Sequence, residues 1–249
     1  MSDLAIIYLT DGSVDLWLAE RCRALLIRAA AGLPIVSVSQ APLAFGDNVC
    51  LGPLGRSGLS MDRQMLAGLE RAKTRWVAVA EHDCVYSGEH FRWRPPEGGE
   101  KSFWYNDNCW LAQVSNPKYP EWDGMYSYIK RRRVQSQLIC AREQLIEATQ
   151  RKIALLGDPA WQAKHPTRAI GEPGSADYAK GRAAVQGLSM RHLWAQMKDY
   201  LTRYGAQDFR TWIPNLDLRH GANFTGQRRG KRRSFLLEPW GRLDEVLRG

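Results

Sequence analysis

No run of apolar residues in this sequence approaches the length of a bilayer-spanning helix, which argues against an integral helical membrane protein. The opening residues, Met1-Ser2-Asp3-Leu4-Ala5-Ile6-Ile7, put no basic segment ahead of the apolar ones, so they read as a first strand rather than a secretory leader. The five cysteines, Cys22, Cys50, Cys84, Cys109 and Cys140, are odd in number, widely spaced and form no CxxC pair. That suggests neither a disulfide framework nor a zinc knuckle, and it fits a reducing cytosol. There is no GxGxxG and no P-loop; Gly46, Gly52, Gly55 and Gly58 are too irregularly placed for a phosphate fingerprint. No internal repeat is found. Acids are in the minority, 26 against 35 Lys and Arg, for a net charge of +9 and a pI near 9.5. Such a balance favours anionic partners: nucleotides, nucleic acid or an acidic surface. Ten tryptophans are available for cores or for stacking on sugars and bases.

What is present suits one α/β domain of 249 residues, long enough to bury a real core. Ala5 to Leu9 reads as a strand, Val14 to Ala31 as a helix closed by Gly32, and Pro34 to Val38 as a second strand, making a right-handed β-α-β unit. Phe45 to Ser57 reads as a loop, and Met61 to Ala72 as a helix capped by Ser60. Ser102 to Leu111 is an aromatic strand, Val134 to Arg151 a helix, Gly157 to Ala176 a Pro/Gly-broken loop, and Gly187 to Tyr204 a helix. Thr211 to Leu218 is a short strand, and Glu238 to Arg248 a last short helix.

The central stretch is Trp76-Val77-Ala78-Val79-Ala80-Glu81-His82-Asp83-Cys84-Val85-Tyr86. Its apolar run predicts a strand buried on both faces in the middle of a parallel sheet. The acid-His-acid triplet then falls at the carboxyl end, where open α/β sheets bind ligands. On extended backbone Glu81 and Asp83 point the same way and can share one cation or one sugar ring, but a solvated polar strand end has the same pattern. Thr10-Asp11-Gly12 sits at the carboxyl end of the first strand, as a nucleotide contact or as a simple helix cap. Arg63, near a helix start, can reach a phosphate or lie on a solvated face. The residues alone thus support an α/β protein with a nucleotide or anion ligand.

Strand-Thr-Asp-Gly-helix at 5–31, Val-Ser-Val-Ser-Gln-Ala-Pro at 36–42, Val-Ala-Glu-His-Asp-Cys-Val-Tyr at 79–86, Tyr-Asn-Asp-Asn-Cys-Trp at 105–110 and Arg-His-Gly-Ala-Asn-Phe-Thr-Gly at 219–226 together resemble a GT-A-fold glycosyltransferase of the family-2-like group. Some phage members of that group act on hydroxymethylpyrimidines in DNA. The resemblance implies a Rossmann-like mixed sheet flanked by helices, in one domain. About 1–86 would be the nucleotide-sugar half, and about 87–249 an irregular acceptor half with a basic C-terminal segment. It implies a hexosyltransferase, by preference inverting, that uses a UDP-linked donor and Mn²⁺ or Mg²⁺. Asp83 is the expected metal ligand, joined by His220. Thr10, Asp11, Gly12, Gln40, Arg63, Glu81 and His82 are expected on the donor. Inversion needs a general base on the acceptor hydroxyl. Among Asp107, Asp123, Glu143, Glu172 and Asp177, Glu172 is preferred for its place in the loop-rich segment.

Two basic clusters, Lys130-Arg131-Arg132-Arg133 and Arg228, Arg229, Lys231, Arg232 and Arg233, either cover a diphosphate, track a polyanion such as DNA, or form a solvated face. Trp104, Tyr105, Trp110, Trp122 and Tyr126 are a candidate wall for a flipped base, or core. The expectation is a DNA-acting enzyme of the cytoplasm, or of the host cytoplasm if phage-encoded, with no stable membrane association. Two rivals remain: the same fold on a cell-surface saccharide or lipid, and a non-enzymatic basic DNA-binding module.

Overall fold

The computed structural model describes residues 2–115, 120–129, 133–159, 204–221 and 232–248, and everything below concerns these. The mixed sheet flanked by helices is present. Strands β1 (Leu4–Leu9), β2 (Ile35–Ser39), β3 (Asp47–Cys50) and β4 (Trp76–Glu81) run parallel, with β1 between β2 and β4. Every residue of β1 is buried, as is β4 up to Ala80, because both are apolar on both faces and helices cover each side. Helix α1 (Leu16–Ala30) packs on one face through Leu26, Ala29 and Ala30. It closes at Ala31, whose left-handed φ of 48° is followed by Gly32 at 86°.

Helix α2 (Gly58–Arg71) covers the other face together with α4 (Arg142–Gly157). Gly68 lets α2 lie close to the sheet: a Cβ there would meet Ile7 Cγ2 at 2.7 Å and Val38 Cγ2 at 2.9 Å. A buried ion pair, Lys152 Nζ to Asp62 Oδ1 at 2.9 Å, ties α4 to α2.

Strands β6 (Phe103–Asn106), β9 (Leu138–Ala141) and β10 (Ala206–Phe209) complete a seven-stranded sheet ordered β10-β6-β9-β4-β1-β2-β3, in which β9 runs antiparallel to its neighbours. A second sheet is ordered β12-β8-β7-β11-β5, from β5 (Cys84–Val85), β7 (Cys109–Gln113), β8 (Tyr126–Tyr128), β11 (Asn215–Arg219) and β12 (Arg232–Ser234). Its inner face packs on α1 and on the C-terminal helix α5 (Leu243–Arg248).

Several boundaries differ from the sequence reading. The expected loop 45–57 contains β3, whose partly exposed Asp-Asn-Val-Cys run lacks a buried strand's pattern. Ser57, in extended conformation, caps α2 and accepts from Ser60 N at 3.0 Å, while the Ser60 hydroxyl donates to Leu54 O. The aromatic segment 102–111 is two strands in two sheets, parted where Asn106 Oδ1 accepts from Asn108 N. The helix expected from Val134 starts at Arg142, because Leu138, Ile139 and Cys140 are wholly buried as a strand between β4 and β6. The central strand β4 is parallel to β1 on one side only, since β9 opposes it on the other. The helix expected at 187–204 lies almost wholly outside the described residues. Among the described residues no helix is long and apolar enough to cross a membrane.

Candidate active site

The site forms where the carboxyl ends of β1 and β4 meet the N-terminus of α2. A cavity of about 560 Å³ opens there. One wall is Thr10 and Asp11 after β1; another is the turn Glu81-His82-Asp83 after β4; the third is Arg56, Ser57 and Gly58 at the start of α2. The first N–H groups of a helix carry partial positive charge, so this third wall favours an anion.

A hydrogen-bond network fixes the floor. Thr10 Oγ1 lies 2.8 Å from His82 Nδ1 and accepts from Gly12 N at 3.1 Å. Gly12 adopts φ 76°, the left-handed conformation that this tight turn needs. Asp11 Oδ1 accepts from the Ser13 N–H and hydroxyl at 2.9 and 2.6 Å, and Oδ2 faces Arg56 Nε at 2.8 Å. Burial opposes ionisation of Asp11, but the two Ser13 bonds, His82 and Arg56 together hold its carboxyl below the usual carboxylate value. Burial pushes the His82 imidazole down, against the pull of Asp83 and Asp11. Gln40 accepts from Leu54 N at 2.9 Å and donates to Gly55 O at 2.8 Å, which pins the segment carrying Arg56.

Glu81 and Asp83 do converge, through a turn rather than along an extended strand. Their carboxylate oxygens and Cys84 Sγ lie within 4.8 Å of one another. His220 arrives from the other sheet. β11 pairs antiparallel with β5, Leu218 N donates to Asp83 O at 2.8 Å, and His220 Nε2 stands 3.5 Å from Asp83 Oδ2. The two carboxylates suit a hard divalent cation such as Mg²⁺ or Mn²⁺, and His220 stands beside Asp83. Cys84 adds only a soft sulfur donor, which these cations do not favour, and burial pushes its thiol well above its ordinary value.

Of the expected donor residues, the structure thus gathers Thr10, Asp11, Gln40, Glu81 and His82 with Asp83 around one cavity, and Gly12 shapes its turn. Arg63 is exposed and does not line it. Arg56 and Gln64 are among the lining residues that the sequence reading does not place in the site. Arg56 carries no signal beyond standing one residue ahead of a Ser cap. Gln64 lies beside Met65 within the helical core pattern and is 4% exposed.

Glu172, Lys130, Arg131, Arg132, Arg228, Arg229 and Lys231 lie outside the described residues, as does Asp177. Arg133 forms a two-bond pair with Asp208, at 2.6 and 2.9 Å. Arg232 and Arg233 are exposed on β12. The aromatic wall does not form as expected. Tyr105 and Tyr126 are completely buried, and Trp104 packs on Trp93 and donates to Gly99 O. Trp110 lies against Tyr128 with the rings tilted by 39°, and Trp212 is 90% exposed.

No protein-family model matches the chain, and no curated protein matches it. Solved structures with similar folds include a glycosyltransferase involved in the glycosylation of the major capsid of PBCV-1 (9% identity over 83% of this chain and 82% of that one, TM-score 0.41). S. aureus TarS 1-349 in complex with UDP-GlcNAc is similar at 11% identity, over 91% and 62% of the two chains, with a TM-score of 0.42. The bifunctional IspDF from Campylobacter jejuni is similar at 15% identity, over 69% and 50%, with a TM-score of 0.39. The chain spans half the length of IspDF and under two thirds of TarS 1-349. With every TM-score below 0.5, these likenesses decide nothing about the site, and the functional reading rests on its geometry.

Proposed function

We propose that this chain is a metal-assisted glycosyltransferase that moves a hexose from a nucleotide diphosphate sugar, UDP-linked by preference, to a hydroxyl. The favoured acceptor is a 5-hydroxymethylpyrimidine in DNA. One observation carries the reading: a cation-competent pair, Glu81 and Asp83, faces Arg56 and a helix N-terminus across one cavity at the carboxyl edge of a mostly parallel sheet. A diphosphate needs both kinds of wall, and the sheet edge suits its nucleoside.

Asp83, Glu81 and His220 would hold Mn²⁺ or Mg²⁺, which when bound supplies positive charge against the departing diphosphate. The chain's own groups do the rest. Arg56 and the first N–H groups of α2 bind the phosphate oxygens and orient them. Thr10, Asp11 and Gln40 line the nucleoside side and hold the adjoining loops in place. In an inverting transfer the acceptor oxygen bonds to the sugar's anomeric carbon as the bond to the diphosphate oxygen breaks. The acceptor's proton passes to a carboxylate, for which we keep Glu172. About 1–86 then serves the donor and about 87–249 the acceptor. The net charge of +9 and the exposed Arg232, Arg233 and Trp212 support a polyanionic acceptor with bases to stack.

The test incubates the protein with a panel of nucleotide sugars, Mn²⁺ and hydroxymethylated DNA, then weighs the digested nucleosides by mass spectrometry. A hexose mass gain that Asp83→Ala abolishes is expected. No gain with any sugar would sink the DNA acceptor, and donor turnover that survives Asp83→Ala would sink the metal assignment. DNA binding indifferent to EDTA, with no nucleotide-sugar hydrolysis, would instead favour a non-enzymatic DNA-binding module.

A further inference from the structure

Gln64 is a buried, doubly hydrogen-bonded side chain of the cavity wall. It sits on α2, 4% exposed, and its Nε2 donates to Thr10 O at 2.8 Å and Val38 O at 3.2 Å. These carbonyls stand at the carboxyl ends of β1 and β2. Only an NH₂ group can serve two carbonyl oxygens, so the partners themselves fix which way the amide faces. Both Nε2 hydrogens are thereby used. Oε1 accepts no hydrogen bond from any described residue, although the side chain lines the cavity. Turning the amide would give up both bonds and leave Thr10 O unserved, whereas Val38 O also accepts from Thr10 N at 3.0 Å. It is a fixed acceptor.

The N-terminus of α2 supplies donors at one wall and Gln64 Oε1 supplies an acceptor farther along the same helix, while Arg56 is paired with Asp11 at 2.8 Å. A ligand that fits is anionic at one end and carries an N–H at the other.

We infer that Gln64 reads the ring N–H of the donor's nucleobase and so selects uracil over cytosine. This inference rests on the proposed nucleotide-sugar site and names the residue that sets its base preference. Uracil presents N3–H to an acceptor. Cytosine presents a lone pair at the same ring position, leaving two acceptors face to face. One unmet buried hydrogen bond of this kind weakens binding by roughly tenfold or more.

Calorimetric titration of the intact protein with UDP, CDP and N3-methyl-UDP, each with Mn²⁺, tests this without requiring transfer. The wild type is expected to bind UDP at least about tenfold more tightly than CDP or the N3-methyl compound. Gln64→Met, similar in length and without polar atoms, is expected to abolish the preference for UDP over CDP, whatever the loss of its bonds to Thr10 O and Val38 O costs both ligands. Equal wild-type binding of all three overturns the inference. So does a uniform loss of UDP and CDP affinity in Gln64→Met, since a merely structural amide would act on both alike. Should Gln64→Met fail to fold, the three ligands on the wild type still decide. Binding of no nucleotide at all would overturn the donor site itself, which separates that failure from a wrong choice of base reader.

Discussion

Replacing Lys152 by Met tests how the wall of the cavity is held in place. Lys152 Nζ and Asp62 Oδ1 are 2.9 Å apart, and their side chains are 4% and 2% exposed. Asp62 Oδ2 has no hydrogen-bond partner among the described residues. The single substitution therefore strands a carboxyl between two helices with nothing to offset its charge. Breaking such a pair on one side costs about 3–5 kcal/mol, a large share of a domain's total stability. Burial already pushes the Asp62 carboxyl above its ordinary 3.8, with Lys152 pulling the other way. Removing the cation removes that pull and raises the folded-state pKa further. A carboxyl raised in the folded state contributes stability that is fully present below its unfolded pKa and is lost as pH rises through the folded one. The deficit of Lys152→Met against wild type should thus shrink as pH falls from 7 toward 4. Urea unfolding at several pH values measures it. Exchanging both partners, Asp62→Leu with Lys152→Met, removes the orphan and should restore wild-type stability or exceed it by about 1–4 kcal/mol. A single-mutant cost below about 1 kcal/mol, as for a solvated surface pair, would refute the reasoning.

Arg56→Ala should leave stability nearly unchanged, because its pair with Asp11 is 56% exposed on the arginine side. It should weaken nucleoside diphosphate binding about tenfold, the value of one charged hydrogen bond, as read by calorimetry; unchanged binding would remove Arg56 from the site. Gly68→Val should destabilise by about 1–3 kcal/mol in urea melts, since even the first added carbon meets Ile7 and Val38 below 3 Å. A gain in stability would show that α2 has room to shift.

The parts legible in the sequence were those whose signal is local. β1, β2, β4 and α1 announce themselves because uninterrupted apolar runs and a helical stripe coincide with burial on both faces. The strand β9 was hidden because Leu-Ile-Cys beside a helix continues that helix's apolar count, and only its wedging between β4 and β6 makes it extended. The break at Asn106-Asp107-Asn108 depends on an Asn side chain capping a turn, a signal that the flanking aromatic residues masked. In the site, Thr10, Asp11, Glu81 and Asp83 were visible because each follows a readable strand. Arg56 and Gln64 were not. Arg56 owes its place to Gln40's hold on residues 54 and 55, and Gln64 to the close approach of α2 that Gly68 permits. Gln40 lies far from Arg56 in the chain, and what Gly68 permits shows only in the strands it packs against, at Ile7 and Val38.

The same contrast explains how the candidate site is divided. Glu81 ends β4 in the large sheet, and Cys84 begins β5 in the small one, so His82 and Asp83 are the seam between them. His82 is held from the large sheet, by Thr10 after β1. Asp83 is held from the small sheet, by Leu218 N and by His220 after β11. The register of β11 is set farther down, where Asn215 accepts from Ser87 N at 2.8 Å and donates to Gln137 Oε1 at 2.7 Å. The Gln64 side of the cavity thus depends on β1, β2 and α2 with α4 behind it, while the Asp83 side depends on how the two sheets are locked. A change at Asn215 reaches the Asp83–His220 pair through β11 without touching Gln64. Loss of cation binding and loss of base preference are therefore separable defects in this fold, even though both groups face one cavity.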